Sequence, residues 1–118
     1  MEFNETHPYH EKLRVLLEQQ CMYLNPHLVI NDVAKAIGTN RTYLSEFINR
    51  EMRMTFTEYV NTLRLAHAEK LMASNPSMHL DIVSEESGFN SRTTFRRVFL
   101  NKHGVTPAQF RKLSKSKL

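Results

Sequence analysis

Residues 91–102 read Ser-Arg-Thr-Thr-Phe-Arg-Arg-Val-Phe-Leu-Asn-Lys, a stretch that contains no acidic side chain. At about 100° per residue, the period of an α-helix, the large side chains of Phe95, Val98 and Phe99 fall on one face. The polar and basic side chains point the other way: Thr93, Arg96 and Arg97, with Arg92 on the flank. A helix anchored in this way, with arginines turned to solvent, suits an anionic partner. The same pattern is typical of an ordinary solvated helix face, so the stretch alone leaves both interpretations open.

A second copy of this arrangement precedes it in the chain. At an offset of 50 residues the two copies match at Ile30, Val33, Gly38 and Asn40 against Leu80, Val83, Gly88 and Asn90. At an offset of 51 they match at Leu44, Phe47, Ile48, Thr55 and Tyr59 against Phe95, Val98, Phe99, Thr106 and Phe110. In each copy a short apolar helix ends at a glycine able to adopt positive φ, and an asparagine then caps a second helix. Each copy therefore predicts one helix-turn-helix unit.

Three further helices complete the predicted fold. Tyr9–Leu24 has apolar residues at helical spacing and reads as one amphipathic helix, with Cys21 as a small core residue on its apolar stripe. Thr55–Ala73 opens with a capping box that pairs Thr55 with Glu58, and Thr106–Gln109 opens a last helix in the same way. We therefore predict an all-α fold of two helix-turn-helix subdomains joined by a long linker helix. The expected bounds are a frayed N-terminus at 1–7, the first subdomain at 8–54, the linker at 55–74, and the second subdomain with a basic tail at 75–118.

Charge is divided unequally along the chain. All twelve acids lie in residues 1–86 beside eight Lys or Arg, which gives −4, whereas residues 87–118 hold the other eight and no acid, which gives +8. This imbalance indicates a polyanionic partner on the C-terminal side. No segment approaches the roughly 18 consecutive apolar residues of a membrane-spanning helix, and we expect no membrane association. The lone Cys21 fits a reducing cytoplasm, where we expect the protein to reside.

Other classes of function find less support in the sequence. It contains no glycine-rich phosphate loop, no histidine pair at metal-ligand spacing and no nucleophile motif, so we predict neither an enzyme nor a bound metal or cofactor. RNA is less favoured than DNA, because no aromatic side chain is placed outward on either second helix for base stacking. A helix-turn-helix module used for protein–protein docking stays open as the alternative.

Over residues 8–115 the sequence resembles the C-terminal DNA-binding domain of the AraC/XylS family of transcription regulators. The resemblance rests mainly on residues 88–99, Gly-Phe-Asn-Ser-Arg-Thr-Thr-Phe-Arg-Arg-Val-Phe, and 104–111, Gly-Val-Thr-Pro-Ala-Gln-Phe-Arg. Residues 38–45, Gly-Thr-Asn-Arg-Thr-Tyr-Leu-Ser, and 64–68, Arg-Leu-Ala-His-Ala, fit as well. It implies seven helices, recognition helices in successive major grooves of double-stranded DNA, transcription activation, and RNA polymerase as a partner. Such domains are usually controlled by a separate sensing domain, so we expect this chain to be the output end of a longer regulator, with no small-molecule ligand of its own.

The candidate DNA contacts fall into two classes. Base contacts are expected from Thr42, Ser45, Glu46 and Asn49 on the first recognition helix, and from Arg92, Thr93, Arg96 and Arg97 on the second. Arginine can bridge guanine O6 and N7, glutamate can accept from cytosine N4, and a threonine methyl can contact the thymine methyl. Phosphate contacts are expected from Arg41, Arg50, Arg53 and Lys102, and from the helix N-termini at Thr55 and Thr106, whose free amides suit an anion. For each residue the alternative is a plain solvated side chain.

Two positions depart from the family pattern. Glu46 lies where relatives often carry a basic or amide side chain, and Leu100 takes the outward position that Asn49 holds in the first unit. We expect Glu46 to act as a filter, since a carboxylate is repelled by phosphates and fits a groove only beside a donor such as cytosine N4. The alternative is that Glu46 merely pairs with Arg50 four residues on.

Overall fold

The computed structural model describes residues 8–116, which form helices and connecting turns without a strand. Seven α-helices follow one another within these residues: α1 Pro8–Leu13, α2 Ile30–Ile37, α3 Arg41–Met52, α4 Phe56–Ser74, α5 Leu80–Glu86, α6 Arg92–His103 and α7 Pro107–Ser116. The all-α prediction is therefore confirmed, while the expected frayed segment at 1–7 lies outside the described residues.

The chain divides into two compact units, residues 1–60 and 61–118, and the division falls inside α4. The first unit buries apolar side chains from α1 to the start of α4, namely Leu13, Leu17, Val33, Ala34, Ile37, Leu44, Phe47, Ile48, Tyr59 and Val60. The second unit has a core of its own, formed by Leu65, Ala68, Met72, Val83, Phe89, Phe95 and Phe99. The subdomain bounds drawn from the sequence stay a prediction.

The first helix-turn-helix forms as the sequence predicts. α2 ends at Gly38, whose φ of 83° is the left-handed conformation that favours glycine. The amide of Thr39 then donates to the carbonyl of Ala34 at 2.8 Å, which closes the turn. Asn40 caps α3, because its Oδ1 accepts from the amide of Tyr43 at 2.8 Å.

The second helix-turn-helix repeats this plan with one difference. Gly88 has a φ of 89°, as expected for the turn. The cap of α6 is Ser91, whose Oγ accepts from the amide of Thr94 at 3.1 Å, and the expected cap at Asn90 is wrong. The offset between the two copies changes from 50 to 51 residues within this turn, which means that the second copy has one extra residue there. The cap follows the offset of 51, since the position 51 residues after Asn40 is Ser91. The polar outer face of α6 keeps the predicted register.

Both predicted capping boxes are present. Oγ1 of Thr55 accepts from the amide of Glu58 at 3.1 Å, and the Glu58 carboxylate accepts from the amide of Thr55 at 2.9 Å. At the start of α7, Thr106 and Gln109 exchange the same two bonds at 3.2 and 2.9 Å. Each box satisfies two amides that the first turn of a helix leaves without partners.

The single amphipathic helix expected at 9–24 is wrong. α1 passes into a π-helical segment at Arg14–Gln19, which closes with a bond of 2.8 Å from the amide of Gln20 to the carbonyl of Val15. Cys21 then takes a left-handed φ of 58°, and Met22–Leu24 forms a short 3₁₀ turn. A wider helical turn rotates the apolar stripe, so Cys21 is only half-buried and is not the core residue that the spacing predicted.

Candidate nucleic-acid interface

Each unit contains a cleft in which its recognition helix meets the N-terminus of the following helix. The cleft of the first unit has a volume of about 550 Å³ and is lined by Arg41 and Ser45 of α3, Thr55, and the beginnings of α2 and α4. The cleft of the second unit has a volume of about 450 Å³. Its lining includes four expected contact residues, Arg92, Thr93, Arg96 and Thr106.

The two clefts are built from equivalent positions of the repeat. Arg41, Ser45 and Thr55 of the first correspond to Arg92, Arg96 and Thr106 of the second, at the offset of 51 residues. Within each unit the fold therefore brings a predicted base contact and a predicted phosphate contact to one concave surface. Because exposed amides at a helix N-terminus attract anions, this arrangement suits a nucleic-acid backbone lying beside base edges.

The outer face of α3 is polar and carries one acid. Thr42, Glu46 and Asn49 are exposed, and Ser45 is half-buried. Nε of Arg50 lies 3.0 Å from a carboxylate oxygen of Glu51, so the expected alternative of a Glu46–Arg50 pair is wrong. Among residues 8–116, Glu46 forms no ion pair and its charge faces solvent.

The outer face of α6 is strongly basic. Thr93, Arg96 and Arg97 are exposed, and neither of these two arginines has an ion pair within the described chain. On the opposite side Phe95 and Phe99 are buried, with ring centroids 6.0 Å apart, which holds the helix on its core. Nη1 of Arg92 instead lies 2.8 Å from Oδ2 of Asp81 in α5.

The expected phosphate contacts differ in how available they are. Arg41 and Arg53 are exposed, and Arg53 ends α3 in the left-handed conformation with φ 57°. Nζ of Lys102 lies 2.9 Å from Glu69 in α4, so its charge is partly neutralised. Arg64 of α4, which was not among the expected contacts, is buried, and burial lowers its pKa.

Glu69 contacts an expected phosphate contact, Lys102, and sequence reasoning missed it. Its carboxylate accepts from Lys102 and lies 2.6 Å from Nε2 of His103, whose ring packs on Phe99 and Phe110 at centroid distances of 4.3 and 4.9 Å. Because Glu69 and Lys102 are 33 residues apart, no local sequence pattern predicts the pair. Sequence reasoning also missed Asp81. Aligning the two copies could have found it, because a carboxylate stands there at the position that Asn31 holds in the first copy.

The described residues contain neither a membrane span nor a metal site. No helix in 8–116 combines the length and the apolar character that crossing a bilayer requires. Over the same part of the chain, no three His, Cys, Asp or Glu side chains come together as metal ligands would.

Comparison with known sequences finds a helix-turn-helix family and two named regulatory proteins that are similar to this chain. A family model described as a helix-turn-helix domain matches residues 33–113. The melibiose operon regulatory protein of Escherichia coli K12 is 33% identical over 90 residues, which cover 76% of this chain and 30% of that protein. The Msm operon regulatory protein of Streptococcus mutans is 29% identical over 85 residues, which cover 72% of this chain and 30% of that protein. The chain thus spans less than a third of the length of these relatives.

Solved structures share the fold. The C-terminal domain of AraT, a response regulator from Geobacillus stearothermophilus, matches with a TM-score of 0.77 and 22% identity, over 92% of this chain and 88% of that one. The C-terminal domain of the two-component response regulator yesN from Fusobacterium nucleatum also has a TM-score of 0.77, with 19% identity over 87% of this chain and 97% of that one.

Proposed function

The chain belongs to the AraC-type family of helix-turn-helix domains, and we propose that it binds double-stranded DNA sequence-specifically through α3 and α6. This family consists of DNA-binding transcription regulators and not of enzymes. One observation carries the proposal: in both units, equivalent clefts combine the outer face of the recognition helix with the N-terminus of the next helix. The duplication of a surface is what reading two stretches of one duplex would require.

The base edges are read, in this proposal, by the outward side chains of both recognition helices, namely Thr42, Ser45, Glu46, Asn49, Arg92, Thr93, Arg96 and Arg97. Support comes from the exposure of all of these side chains except the half-buried Ser45, and from the general rule that recognition helices contact bases through their N-terminal residues. Arg96 and Arg97, whose charges are not paired within the described residues, supply affinity for any duplex as well as a preference for guanine. Glu46 instead weakens general affinity and sharpens the choice at one base pair.

The phosphates are held by Arg41, Arg50, Arg53 and Lys102 and by the helix N-termini at Thr55 and Thr106. The capping boxes occupy the amides of Thr55, Glu58, Thr106 and Gln109, and the first residues of α4 and α7 line the two clefts. Pairing with Glu51 and Glu69 reduces the share of Arg50 and Lys102, so Arg41 and Arg53 contribute most among the four side chains.

The wider role rests on the family and its relatives. We propose that the two recognition helices enter successive major grooves, that the domain activates transcription by way of RNA polymerase, and that it works in the cytoplasm. We further propose that it is the output part of a longer regulator, which the greater length of the melibiose and Msm operon regulatory proteins supports.

Titration of the chain with random-sequence duplex at several salt concentrations tests the core of this proposal. We expect log K to fall by roughly 0.9 per neutralised phosphate for each tenfold rise in salt. Selection from a pool of random duplexes should then yield a common site, which footprinting would place in one or two major grooves. A folded chain that binds no duplex at low salt would overturn DNA binding and favour a protein-docking role.

A further inference from the structure

Two arginines begin the two recognition helices, and their surroundings differ. Arg41 and Arg92 are each the first residue of their helix, directly after the cap. Arg92 is held at 2.8 Å by Asp81, whereas the position equivalent to Asp81 in the first unit is Asn31, which carries no charge. Asn31 and Arg41 line the same cleft, but Asn31 has no charge to offer. Within residues 8–116, Arg41 therefore has no ion pair.

Stability does not explain the Asp81–Arg92 pair. Its side chains are 43% and 73% exposed, and ion pairs this exposed contribute little to the free energy of unfolding. The other group near Asp81 is His79, whose Nδ1 lies 3.8 Å from the carboxylate and accepts from the Asp81 amide at 3.2 Å. The guanidinium of Arg92 is always charged and lies closer to the carboxylate, so Arg92 is the cation that Asp81 holds.

The pair lies on the surface where DNA is expected to bind. Asp81, Arg92, Thr93 and Arg96 all line the cleft of the second unit, so the carboxylate lies beside the expected base contacts. A carboxylate at this place repels phosphates, and in doing so it lowers affinity for any duplex. Holding the guanidinium in one orientation also reduces the rotamer freedom that Arg92 would lose on contacting a base.

We infer that Asp81 is a positioning residue, which orients Arg92 for a base edge and withholds it from the phosphate backbone. Arg41, which has no such carboxylate, serves as a phosphate contact. The inference deepens the proposed function and rests on it. It assigns different tasks to two arginines at equivalent places in the repeat, and it makes one carboxylate outside the recognition helices a determinant of specificity.

Asp81→Asn tests the inference, because it gives the second unit the side chain that the first unit has naturally. The probes are a 30-base-pair random duplex and the best duplex selected from a random pool. We expect affinity for the random duplex to rise several-fold and its salt slope to steepen by about 0.9, as Arg92 joins the phosphate contacts. The ratio of specific to random affinity should fall about tenfold. Asp81→Glu, which keeps the carboxylate, should retain most of that ratio.

Asn31→Asp is the matched control in the first unit, where it places a carboxylate near Arg41. It should lower affinity for the random duplex and reduce the salt slope by about 0.9. An unchanged slope would contradict the phosphate role of Arg41. Both positions are at the surface, so neither change should prevent folding.

An Arg92→Ala background separates orientation from simple charge removal. There, Asp81→Asn should still raise random affinity slightly but should leave the specific-to-random ratio unchanged. If the ratio falls equally with and without Arg92, or if Asp81→Asn alone changes it less than twofold, the inference is wrong while DNA binding stands. If the unmodified chain binds no duplex, the proposed function and the inference both fail.

Discussion

Nζ of Lys102 lies 2.9 Å from one carboxylate oxygen of Glu69 and 3.2 Å from the other. A phosphate must compete with this carboxylate for the lysine, whereas Arg97 on the same helix meets no such competition from the described residues. Arg97 and Lys102 should therefore contribute differently to the salt dependence of duplex binding.

Arg97→Ala should reduce the salt slope for random duplex by about 0.9, and Lys102→Ala should reduce it by less than half as much. At the selected site Arg97→Ala should cost about 1–3 kcal/mol of binding free energy. Glu69→Gln is the reciprocal control, because it frees Lys102 and should steepen the slope. Equal slopes for the two alanine variants would mean that the Glu69 pair opens on binding.

Thr55→Ala removes the capping hydroxyl of α4 and should lower the free energy of unfolding by about 1 kcal/mol. If the N-terminus of α4 also holds a phosphate, affinity at constant folded fraction should fall as well. Glu58→Gln provides the contrast, since Gln109 performs the same capping at α7 without a charge. That variant should keep its stability within about 0.5 kcal/mol and bind random duplex more tightly. Unchanged affinity in Thr55→Ala would show that Thr55 caps α4 and has no part in phosphate binding.

Glu46→Gln should tighten binding to random duplex and narrow the gap between specific and random affinity. The reason is that Glu46 is exposed on the outer face of α3 with its charge unpaired among the described residues. Glu51→Gln is the control, because it frees Arg50 for a phosphate and should raise specific and random affinity alike, which leaves their ratio unchanged. The measurement is the ratio of the two affinities, and a ratio unmoved by Glu46→Gln would show that no base depends on this side chain.

The stability of the first unit should decrease in strong alkali because of Tyr59. Its hydroxyl donates to Glu18 at 3.0 Å, and burial, followed by the negative charge of Glu18, raises the pKa of this phenol well above its ordinary value. A pKa raised in the folded state gives stability that is present below the unfolded pKa of about 10 and is lost as pH rises further.

The free energy of unfolding should therefore fall above pH 10 with a contribution from Tyr59 approaching about 1.4 kcal/mol per pH unit. Tyr59→Phe should remove this contribution, whereas Glu18→Gln should keep most of it, because burial is the larger cause. Chemical denaturation at a series of alkaline pH values measures both. Identical pH profiles for Tyr59→Phe and the unmodified chain would contradict the assignment.

Local chemistry explains which parts of the fold could be predicted from the sequence. The turn at Gly38, the Asn40 cap and both capping boxes depend on residues within a few positions of one another, and all were predicted correctly. The cap at Ser91 was missed by one residue because Asn40 was matched at the offset of 50 residues instead of 51. In the N-terminal segment, the apolar spacing did not predict the π-helical turn at Arg14–Gln19 or the positive φ of Cys21, because spacing does not specify the local backbone geometry.

The same difference between local patterns and tertiary contacts applies to the candidate site. The outward faces of α3 and α6 could be predicted from helical period, and the structure finds nearly all of those side chains exposed. The carboxylates that modify them could not, because Asp81 reaches Arg92 across 11 residues and Glu69 reaches Lys102 across 33. Such contacts depend on tertiary packing, and they decide which cations are available.

Because the two clefts are built from equivalent positions, the outward side chains of one recognition helix can be transferred to the other. Ser45→Arg with Glu46→Arg would write the pattern of α6 onto α3, since these positions correspond to Arg96 and Arg97. The graft leaves the Gly38 turn and the buried residues of α3 untouched, so the scaffold has no reason to change. If each unit reads its own stretch of duplex, as proposed, the specificity of one recognition helix can be changed while the other continues to bind its original sequence.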